Sequence, residues 1–364
     1  MSSEQPAPAP VKRTLRQRLK GYAGKLLLLL ITCTICLLLL EVAVRYLFPY
    51  YNPQRQVLFE RNAEGVVLGV PSTSYEIATP KGDWNLKVSN NRHGFRDVKD
   101  YTQSTTNDVF ASGDSYTFGW GVQEEERYSN VVEKNQGVRV FNIAIPEDIR
   151  GYAHTLEFVK KNGARVGNLM IGICMENDLW DYYQAESKHV TYHKQMVRGP
   201  YRRMAVWFKG HSALWTAASH IMQSNPAMRH FLERVGIARD IDTLTHKNEY
   251  TPDLVKSSSE EVVKIATNYN SVILIIPSRA LWAGQNTEAE KKVHQEFVQA
   301  LRTAGLEVID MKPIFEKGGN PSQYYFTTDP HWNAAGHAAA AAALGEFFAG
   351  SEKWKFARPA AKAP

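Results

Sequence analysis

The sequence has few of the residues that build disulfide frameworks and small metal sites. It contains 3 cysteines in 364 residues; Cys33 and Cys36 lie in an apolar run, and Cys174 lies in a stretch with strand character. This pattern predicts neither a disulfide framework nor a zinc site. A Gly-rich phosphate loop ending in Lys-Ser/Thr and a Gly-x-Ser-x-Gly turn are also missing, which argues against nucleotide-binding P-loop proteins and α/β-hydrolases. We therefore expect no metal and no cofactor.

A basic body is missing as well. The net charge is +6, but residues 1–25 hold six Lys and Arg residues against one Glu, so the rest of the chain is close to neutral. A nearly neutral body lacks the electrostatic footprint of a nucleic-acid-binding protein, and we expect no nucleic-acid partner.

The basic residues directly precede a long apolar run, Leu26 to Leu40, that holds no charged residue. Residues 22–48 can supply the roughly 20 residues that a membrane-spanning helix needs. A cleaved signal peptide and a buried core helix are the alternatives, and the lack of a closely following small-x-small site disfavours cleavage. We therefore expect a basic cytoplasmic arm at 1–21, a single-pass anchor in the cytoplasmic membrane at 22–48, and a body on the extracytoplasmic (periplasmic) side.

The body consists of a mixed lead-in, residues 49–106, followed by alternating strand and helix patterns over 107–350. Strand-type runs are predicted at Asp108–Ser112, Val138–Ile145, Leu169–Cys174, Val272–Ile276 and Leu306–Ile309. Strands that alternate with helices indicate an α/β fold whose parallel sheet is covered on both faces. Residues 181–251 interrupt this rhythm as a mostly helical insertion, and residues 351–364 are expected to form a disordered tail.

Ser115 follows the first predicted strand directly, in the run Gly113-Asp114-Ser115. The carboxyl ends of parallel strands are where active groups gather, and a serine at such a turn can present its hydroxyl beside backbone N–H groups. An ordinary turn explains the three-residue pattern equally well.

A second element, Asp329-Pro330-His331-Trp332, lies just before an Ala-rich helix near the other end of the chain. A serine hydroxyl needs a base to become a nucleophile, and an imidazole needs a carboxylate to fix its tautomer. Asp329 and His331 are two residues apart, which allows both side chains to reach one serine. The alternative is a helix N-terminus with a surface histidine.

The second and third predicted strands also end in polar residues, at Asn142 and at Glu176-Asn177-Asp178. The Asn177 amide could donate to an oxyanion, although an Asx turn is the simpler explanation of that residue on its own. We expect these side chains to meet Ser115 and His331 at one edge of the sheet.

Together these motifs resemble those of the SGNH (GDSL-type) hydrolase superfamily. The resemblance implies a flavodoxin-like three-layer α/β/α sandwich. It implies Ser115 as nucleophile, His331 as base and Asp329 as its partner, with an oxyanion hole made by Ser115, Gly151 and Asn177. The supporting residues would be Asp114, Asn142, Asp178 and Trp332.

The chain departs from the family pattern in two places: Ala144 and Glu147 stand where the second motif usually has glycine, and Glu176 stands where many members have a small residue. The segment Asn91 to Asp97 is similar to a run that precedes the catalytic domain of many membrane-anchored bacterial members. The Asp-x-His-Trp spacing is similar to the alginate-acetylation-like branch, which includes O-acetyltransferases.

The leading hypothesis is an extracytoplasmic serine esterase or deacylase acting on acyl esters, such as O-acylated carbohydrate of the cell envelope or exported polysaccharide. The alternatives are a polysaccharide O-acetyltransferase with the same triad, and a catalytically silent binding protein of an envelope assembly. Expected partners are the membrane and the machinery that modifies envelope polysaccharide.

Overall fold

The structure, a computed structural model, describes residues 15–53, 57–79, 82–187, 204, 207–208, 210–224, 228, 252–283 and 286–357. Helix α1 (Leu15–Leu47) contains a candidate membrane span, Gly24–Leu47, with mean hydropathy 2.8. Only 6% of its most apolar window is buried in protein. A core helix would be largely buried, so this helix is not a core helix of the body. The candidate span lies within the predicted anchor, 22–48, and the helix itself extends further toward the N-terminus.

The lead-in forms two antiparallel hairpins. Strand β1 (Phe59–Arg61) pairs with β2 (Val67–Gly69), and β3 (Ser74–Ala78) pairs with β4 (Asn85–Ser89). Alternate residues of the second hairpin, Tyr75, Ile77, Leu86 and Val88, are buried, which is the pattern of a two-stranded ribbon with one face on the body. The lead-in therefore packs against the body as a folded element.

A five-stranded, wholly parallel sheet organises the body. Its strands are β5 (Val109–Ser112), β6 (Val140–Asn142), β7 (Asn168–Cys174), β8 (Asn270–Ile276) and β9 (Glu307–Asp310). The spatial order is β6-β5-β7-β8-β9, with every pair parallel. Numbered along the chain this is the order 2-1-3-4-5, the flavodoxin-like arrangement. The predicted α/β fold with a parallel sheet is confirmed, and the predicted strands lie within a few residues of the observed ones.

Helices cover both faces of this sheet. The helices are α2 (Ser115–Phe118), α3 (Tyr128–Gln136), α4 (Ile149–Lys161), α5 (Asp178–Ser187), α6 (Ala213–Ser224), α7 (Pro252–Ala266), α8 (Thr287–Thr303), α9 (Met311–Lys317) and α10 (Ala334–Gly350). One hydrophobic core lies between the sheet and α4, α5, α7 and α8, and the second lies between the sheet and α3, α9 and α10. In β7, Leu169, Ile171 and Ile173 enter the first core, whereas Met170 and Cys174 enter the second. Successive side chains of a strand point to opposite faces of the sheet, and both faces are covered, so the strands are apolar throughout.

Two predicted segments are described only in part. In the predicted insertion 181–251, the structure describes the rest of α5, helix α6 and a few residues around it; the other positions lie outside the described residues. Within the tail predicted to be disordered, 351–364, Glu352–Ala357 instead form a 3-10 helix, and Trp354 is fully buried against Phe348. Residues 358–364 lie outside the described residues.

Candidate active site

Ser115 is the first residue of α2 and follows the carboxyl end of β5 by three positions. Asp114 is the N-cap of this helix, and its Oδ1 accepts the Tyr116 N–H at 2.9 Å. The turn requires glycine at position 113, because a Cβ there would lie 2.8 Å from the Gly172 carbonyl oxygen and 2.3 Å from Thr117 Oγ1. The close approach of this turn to β7 places the Ser115 hydroxyl beside the carboxyl ends of the strands.

The structure brings Ser115, His331 and Asp329 together in one chain of hydrogen bonds. His331 Nε2 lies 2.7 Å from Ser115 Oγ, and His331 Nδ1 lies 2.6 Å from Asp329 Oδ1. The same carboxylate oxygen accepts the His331 backbone N–H at 2.9 Å. Because Asp329 can only accept at Nδ1, the imidazole carries its proton there and leaves Nε2 to accept the Ser115 hydroxyl proton.

The pKa of Asp329 is shifted by opposing effects. Burial raises the pKa, but the hydrogen bonds from His331 and the charge of His331 outweigh burial, so the pKa of Asp329 is lowered. The carboxylate therefore stays ionised beside the imidazole, as a residue that orients a base and stabilises an imidazolium must.

The residue after the serine holds the loop that carries the histidine. The Tyr116 hydroxyl donates to the Pro330 carbonyl oxygen at 2.8 Å, and the Tyr116 ring packs against His331 and Trp332. Trp332 is fully buried in the second core. Asn333 caps α10 by accepting the Ala335 and Gly336 N–H groups. The loop is thus held at Pro330 and at the two residues after His331, which keeps the imidazole aimed at Ser115 Oγ.

Asn142, predicted as a supporting residue, joins three parts of the site. Its Nδ2 donates to the Thr117 carbonyl oxygen at 2.8 Å and to Ser129 Oγ at 2.9 Å. Its backbone N–H donates to Asp97 Oδ2 at 2.7 Å. Asn142 therefore holds the end of β6 against α2 and connects both to the lead-in.

The lead-in also supplies Arg96, a side chain that is 1% exposed. Its guanidinium donates to the carbonyl oxygens of Gly119 at 2.5 Å and of Val122 at 2.7 Å, which belong to the loop that follows α2. Burial and then the charge of the nearby Arg127 lower the pKa of Arg96 to about 9. The carbonyl oxygens of this loop do not belong to a helix or strand, and the charged Arg96 side chain of the lead-in supplies their hydrogen-bond donors.

Replacing Arg96 with alanine is expected to destabilise the protein by roughly 3 kcal/mol or more, because buried carbonyls lose charged donors and a cavity remains. The melting temperature and the turnover of an acyl ester should fall together. Arg92→Ala is the matched control, since the Arg92 side chain in the same segment is 66% exposed. Equal melting temperatures for the two variants would contradict the role assigned to Arg96.

The segment from Asn142 to Gly151 was expected to supply an oxyanion-hole N–H group at Gly151, but that N–H group already has a hydrogen-bond acceptor. The Gly151 N–H lies in the first turn of α4 and donates to Asp148 Oδ1 at 3.0 Å. The Ala144 N–H donates to Asn142 Oδ1 at 3.1 Å, and the Glu147 N–H donates to the Ile145 carbonyl at 2.7 Å. Gly151 is therefore not available to bind an oxyanion in this conformation.

Asn177 lies three residues beyond the carboxyl end of β7, the strand adjacent to β5, and its residue surface is exposed. The next residue, Asp178, is fully buried; its Oδ2 accepts from the Tyr152 hydroxyl at 2.7 Å and from the Cys174 N–H at 2.8 Å. Burial and then the negative charge of Asp114 raise the pKa of Asp178 well above its usual value. Asp178 thus anchors the turn that displays Asn177.

Two further acidic groups lie close to the histidine with raised pKa values. Burial raises the pKa of Asp114 to about 6, although the His331 charge and hydrogen bonds from backbone N–H groups oppose it. Burial raises the pKa of Glu176 to about 7 against the opposing charges of Arg279 and His331. Glu176 Oε2 is buried and has no hydrogen-bond partner among the described residues. Both carboxyls are therefore easily protonated in a site that already holds the Asp329 carboxylate.

The raised pKa of Glu176 predicts a pH-dependent cost in stability. Between the ordinary value of 4.5 and about 7, the folded protein keeps a proton that the unfolded chain releases, so stability falls as pH rises through this window. Glu176→Gln removes the titration, so the melting temperature of the variant relative to the parent should increase between pH 5 and pH 8. The linked free energy is about 3 kcal/mol at most. Glu157→Gln, at a side chain that is 72% exposed, is the control; parallel pH curves for Glu176→Gln and the parent protein would contradict the prediction.

Three contributors were not predicted from the sequence. They are Tyr116, whose hydroxyl holds Pro330, Arg279, whose guanidinium lies 3.5 Å from the Asp329 carbonyl oxygen, and the Arg96-Asp97 pair of the lead-in. Arg279 lies three residues beyond the end of β8, so the rule that active groups gather at the carboxyl ends of strands could have indicated it. Nothing in the local sequence indicates what Arg96 and Asp97 contact.

His337, on α10 after the Asp-x-His-Trp unit, is a packing residue. It is fully buried, its Nδ1 accepts the Tyr128 N–H at 3.3 Å, and burial lowers its pKa to about 3. No group of three or more His, Cys, Asp or Glu side chains placed to hold a metal ion occurs within the described part of the chain.

Comparison with known proteins gives a match to one domain family. Residues 266–362 match the SGNH hydrolase-like domain of the acetyltransferase AlgX. This range contains Asp329 and His331 but not Ser115. A search of curated proteins gives no significant match.

Solved structures of GDSL-type proteins are similar to the chain at low identity. A member of the lipolytic G-D-S-L family from Veillonella parvula is 13% identical over 67% of this chain and 99% of its own, with a TM-score of 0.39. An extracellular lipase from Streptomyces rimosus is 13% identical over 66% and 98%, with a TM-score of 0.37. A lipase/acylhydrolase from Enterococcus faecalis is 11% identical over 65% and 93%, with a TM-score of 0.37.

The resemblance to SGNH hydrolases that was inferred from the motifs is confirmed by the domain match. The protein is an enzyme that acts on ester bonds, either as a hydrolase or as an acyltransferase. The match includes the Asp-x-His-Trp unit, on which the similarity to the alginate-acetylation-like branch depended.

Proposed function

We propose that this protein is a membrane-anchored, extracytoplasmic serine esterase that removes acyl groups from O-acylated carbohydrate of the cell envelope or of exported polysaccharide. One observation carries the proposal: Ser115 Oγ, His331 and Asp329 form a continuous hydrogen-bonded chain with distances of 2.7 and 2.6 Å. Such a chain activates a serine hydroxyl that is otherwise a weak nucleophile.

In the first half-reaction, Ser115 Oγ attacks the acyl carbonyl carbon while His331 Nε2 accepts the hydroxyl proton. The Asp329 carboxylate stabilises the imidazolium that results. The tetrahedral intermediate then collapses, the bond to the sugar oxygen breaks, and His331 Nε2 gives the proton to that oxygen, which leaves as the sugar hydroxyl. An acyl-enzyme at Ser115 remains.

In the second half-reaction, water attacks the acyl-enzyme. His331 Nε2 removes a proton from that water and later returns it to Ser115 Oγ, so the carboxylic acid leaves and the enzyme is restored. The His331 side chain is 16% exposed, so water has access to the imidazole.

The oxyanion of each tetrahedral intermediate is assigned to two donors. The first is the Ser115 N–H, because the first N–H groups of a helix have no partner within the helix. The second is the side-chain amide of Asn177, which is exposed beyond the neighbouring strand. Each donor of this kind is worth about 3 kcal/mol in the transition state.

An O-acetyltransferase is the second candidate, favoured by the match of residues 266–362 to an acetyltransferase domain. The first half-reaction would be the same. A sugar hydroxyl would replace water in the second half-reaction and would lose its proton to His331 Nε2.

The location rests on α1. Its span Gly24–Leu47 is long and apolar enough to cross a membrane. The basic residues between positions 12 and 25 favour a cytoplasmic N-terminus by the positive-inside rule, which would put Ser115 outside the cytoplasm, on the periplasmic face of the inner membrane. Machinery that modifies envelope polysaccharide is the partner class that fits this location.

The test uses the full-length protein in lipid nanodiscs with p-nitrophenyl acetate as acyl donor, with and without an oligosaccharide acceptor. An esterase releases equal amounts of nitrophenol and acetate under both conditions. A transferase releases less acetate than nitrophenol when the acceptor is present, and the acceptor gains mass of one acetyl group. Absence of nitrophenol release, together with no labelling of Ser115 by a fluorophosphonate, would refute both functions.

A further inference from the structure

Helix α6 of the insertion is attached to the body-side end of the apolar helix α1. The Glu41 carboxylate of α1 accepts hydrogen bonds from Ser212 Oγ at 2.7 Å, from the Ala213 N–H at 2.8 Å and from the Leu214 N–H at 2.9 Å. The first N–H groups of a helix have no partners in the helix itself and favour negative charge. Glu41 therefore serves as the cap of α6 from a different part of the chain.

Further contacts extend the attachment along α1. Arg45 pairs with Glu41 at 2.6 Å and also donates to the His211 carbonyl oxygen at 2.6 Å. Val44, Tyr51, Ala213 and Ala217 form a small buried cluster, and the Tyr51 hydroxyl lies 3.2 Å from His220 Nδ1. Helix α6 thus runs beside the chain from Glu41 to Tyr51, and its N-terminus is held at the level of Glu41.

That level is set by the length of the apolar run. Leu26 to Leu40 contains 15 residues without a charge, which cover about 22 Å of a helix. The hydrocarbon core of a bilayer is about 30 Å thick. With the residues from Tyr22 onward, where Lys25 near the cytoplasmic end is the one charge, the segment before Glu41 covers about 28 Å. Glu41, the next charged residue, then lies at the boundary of the hydrocarbon on the side of the body, where its charge is satisfied by the start of α6 and by Arg45.

Exposed apolar side chains precede α6 at this level. Trp207 is 56% exposed and Met204 is 49% exposed, and the Trp207 ring stacks on His211 with ring centroids 4.6 Å apart. His211 in turn is bound to Arg45 through its carbonyl oxygen. Trp is enriched where membranes meet water, because its ring is apolar and its N–H is polar.

We propose that Met204, Trp207 and His211, the interfacial cluster, insert into the headgroup region of the bilayer that holds α1. This inference rests on the anchor proposed above and adds a second contact with lipid, so the catalytic domain is held to the surface by two elements. The occupant of this surface is lipid, since the cluster is continuous with the end of the membrane-spanning helix.

The experiment places an environment-sensitive NBD label at Met204→Cys in the full-length protein, with Cys33→Ser and Cys36→Ser in the background and Cys174 left in place because it is buried. The protein is reconstituted in phosphatidylethanolamine–phosphatidylglycerol nanodiscs with and without lipid spin-labelled near the headgroup. Leu30→Cys reports the anchor, and Val98→Cys, at an apolar residue 82% exposed in the lead-in, is the matched solvent control.

The label at position 204 is expected to lose about two-fold in intensity with the shallow spin label, as a site 5–10 Å into the interface should. The label at position 98 should not be quenched, and the label at position 30 should be quenched by a spin label deep in the acyl chains. Quenching at 30 without quenching at 204 overturns this inference and leaves the anchor intact. A blue-shifted but unquenched label at 204 indicates cover by protein and also overturns it. No quenching at 30 removes the anchor and this inference together, while Ser115 activity remains a separate readout of the catalytic proposal.

Discussion

Replacement of Ser115 by alanine is expected to lower kcat/KM for an acyl ester by roughly 10⁴-fold or more, because the residues of such a triad act as one unit and no other group in it can form the acyl-enzyme. The variant should keep the melting temperature of the parent within a few degrees, since Ser115 Oγ bonds only to His331 among the contacts described. Release of p-nitrophenol and labelling by a fluorophosphonate are the two measurements.

Ser112→Ala is the matched control for this experiment. Ser112 lies three residues earlier at the end of β5, is 1% exposed, and its hydroxyl has no hydrogen-bond partner among the described residues. It should therefore retain activity. Comparable activity of Ser115→Ala and Ser112→Ala would show that Ser115 is not the nucleophile and would require a different mechanism.

The second large effect is expected for Asp329→Asn. The amide keeps the size of the side chain, but it cannot hold the His331 proton on Nδ1 as a carboxylate does, and the tautomer that accepts at Nε2 is lost. We expect kcat to fall by about 10³- to 10⁴-fold while KM changes little.

A second His–Asp pair in the protein provides the control. His294 Nε2 lies 2.9 Å from Asp310 Oδ1 at the end of β9, two strands away from β7. Asp310→Asn makes the same chemical change at a pair that does not contact Ser115, so it should lower the melting temperature without the loss in kcat. If both Asn variants lost activity equally, the effect at Asp329 would reflect stability and not orientation of the base.

Much of the fold could be predicted because hydrophobic patterns are local. The strand runs around β5, β7 and β8 are continuous apolar segments, which is what burial on both faces of a parallel sheet demands. The spatial order β6-β5-β7-β8-β9 came from the resemblance, since strand order depends on contacts between segments far apart in the chain.

The hydrogen-bonded arrangement of Ser115, His331 and Asp329 could be predicted for a similar reason. A serine directly after a strand and an Asp-x-His unit before a helix are short patterns with a chemical meaning. The interpretation of Gly151 shows the limit of this approach. A glycine near the expected place matched the family pattern, but the N–H direction is decided by α4, where Asp148 accepts it.

The sequence by itself determined the parts of this protein that depend on local patterns. These are an apolar helix of membrane-spanning length, an α/β body with a parallel sheet, a serine directly after a strand, and an Asp-x-His unit before a helix. The tertiary structure alone decided which distant groups meet. It placed Arg96 on the carbonyl oxygens of the loop after α2, Glu176 within range of the His331 charge, and Glu41 at the start of α6. Buried polar groups must find partners wherever the packed chain offers them, and the identity of those partners is a property of the folded molecule.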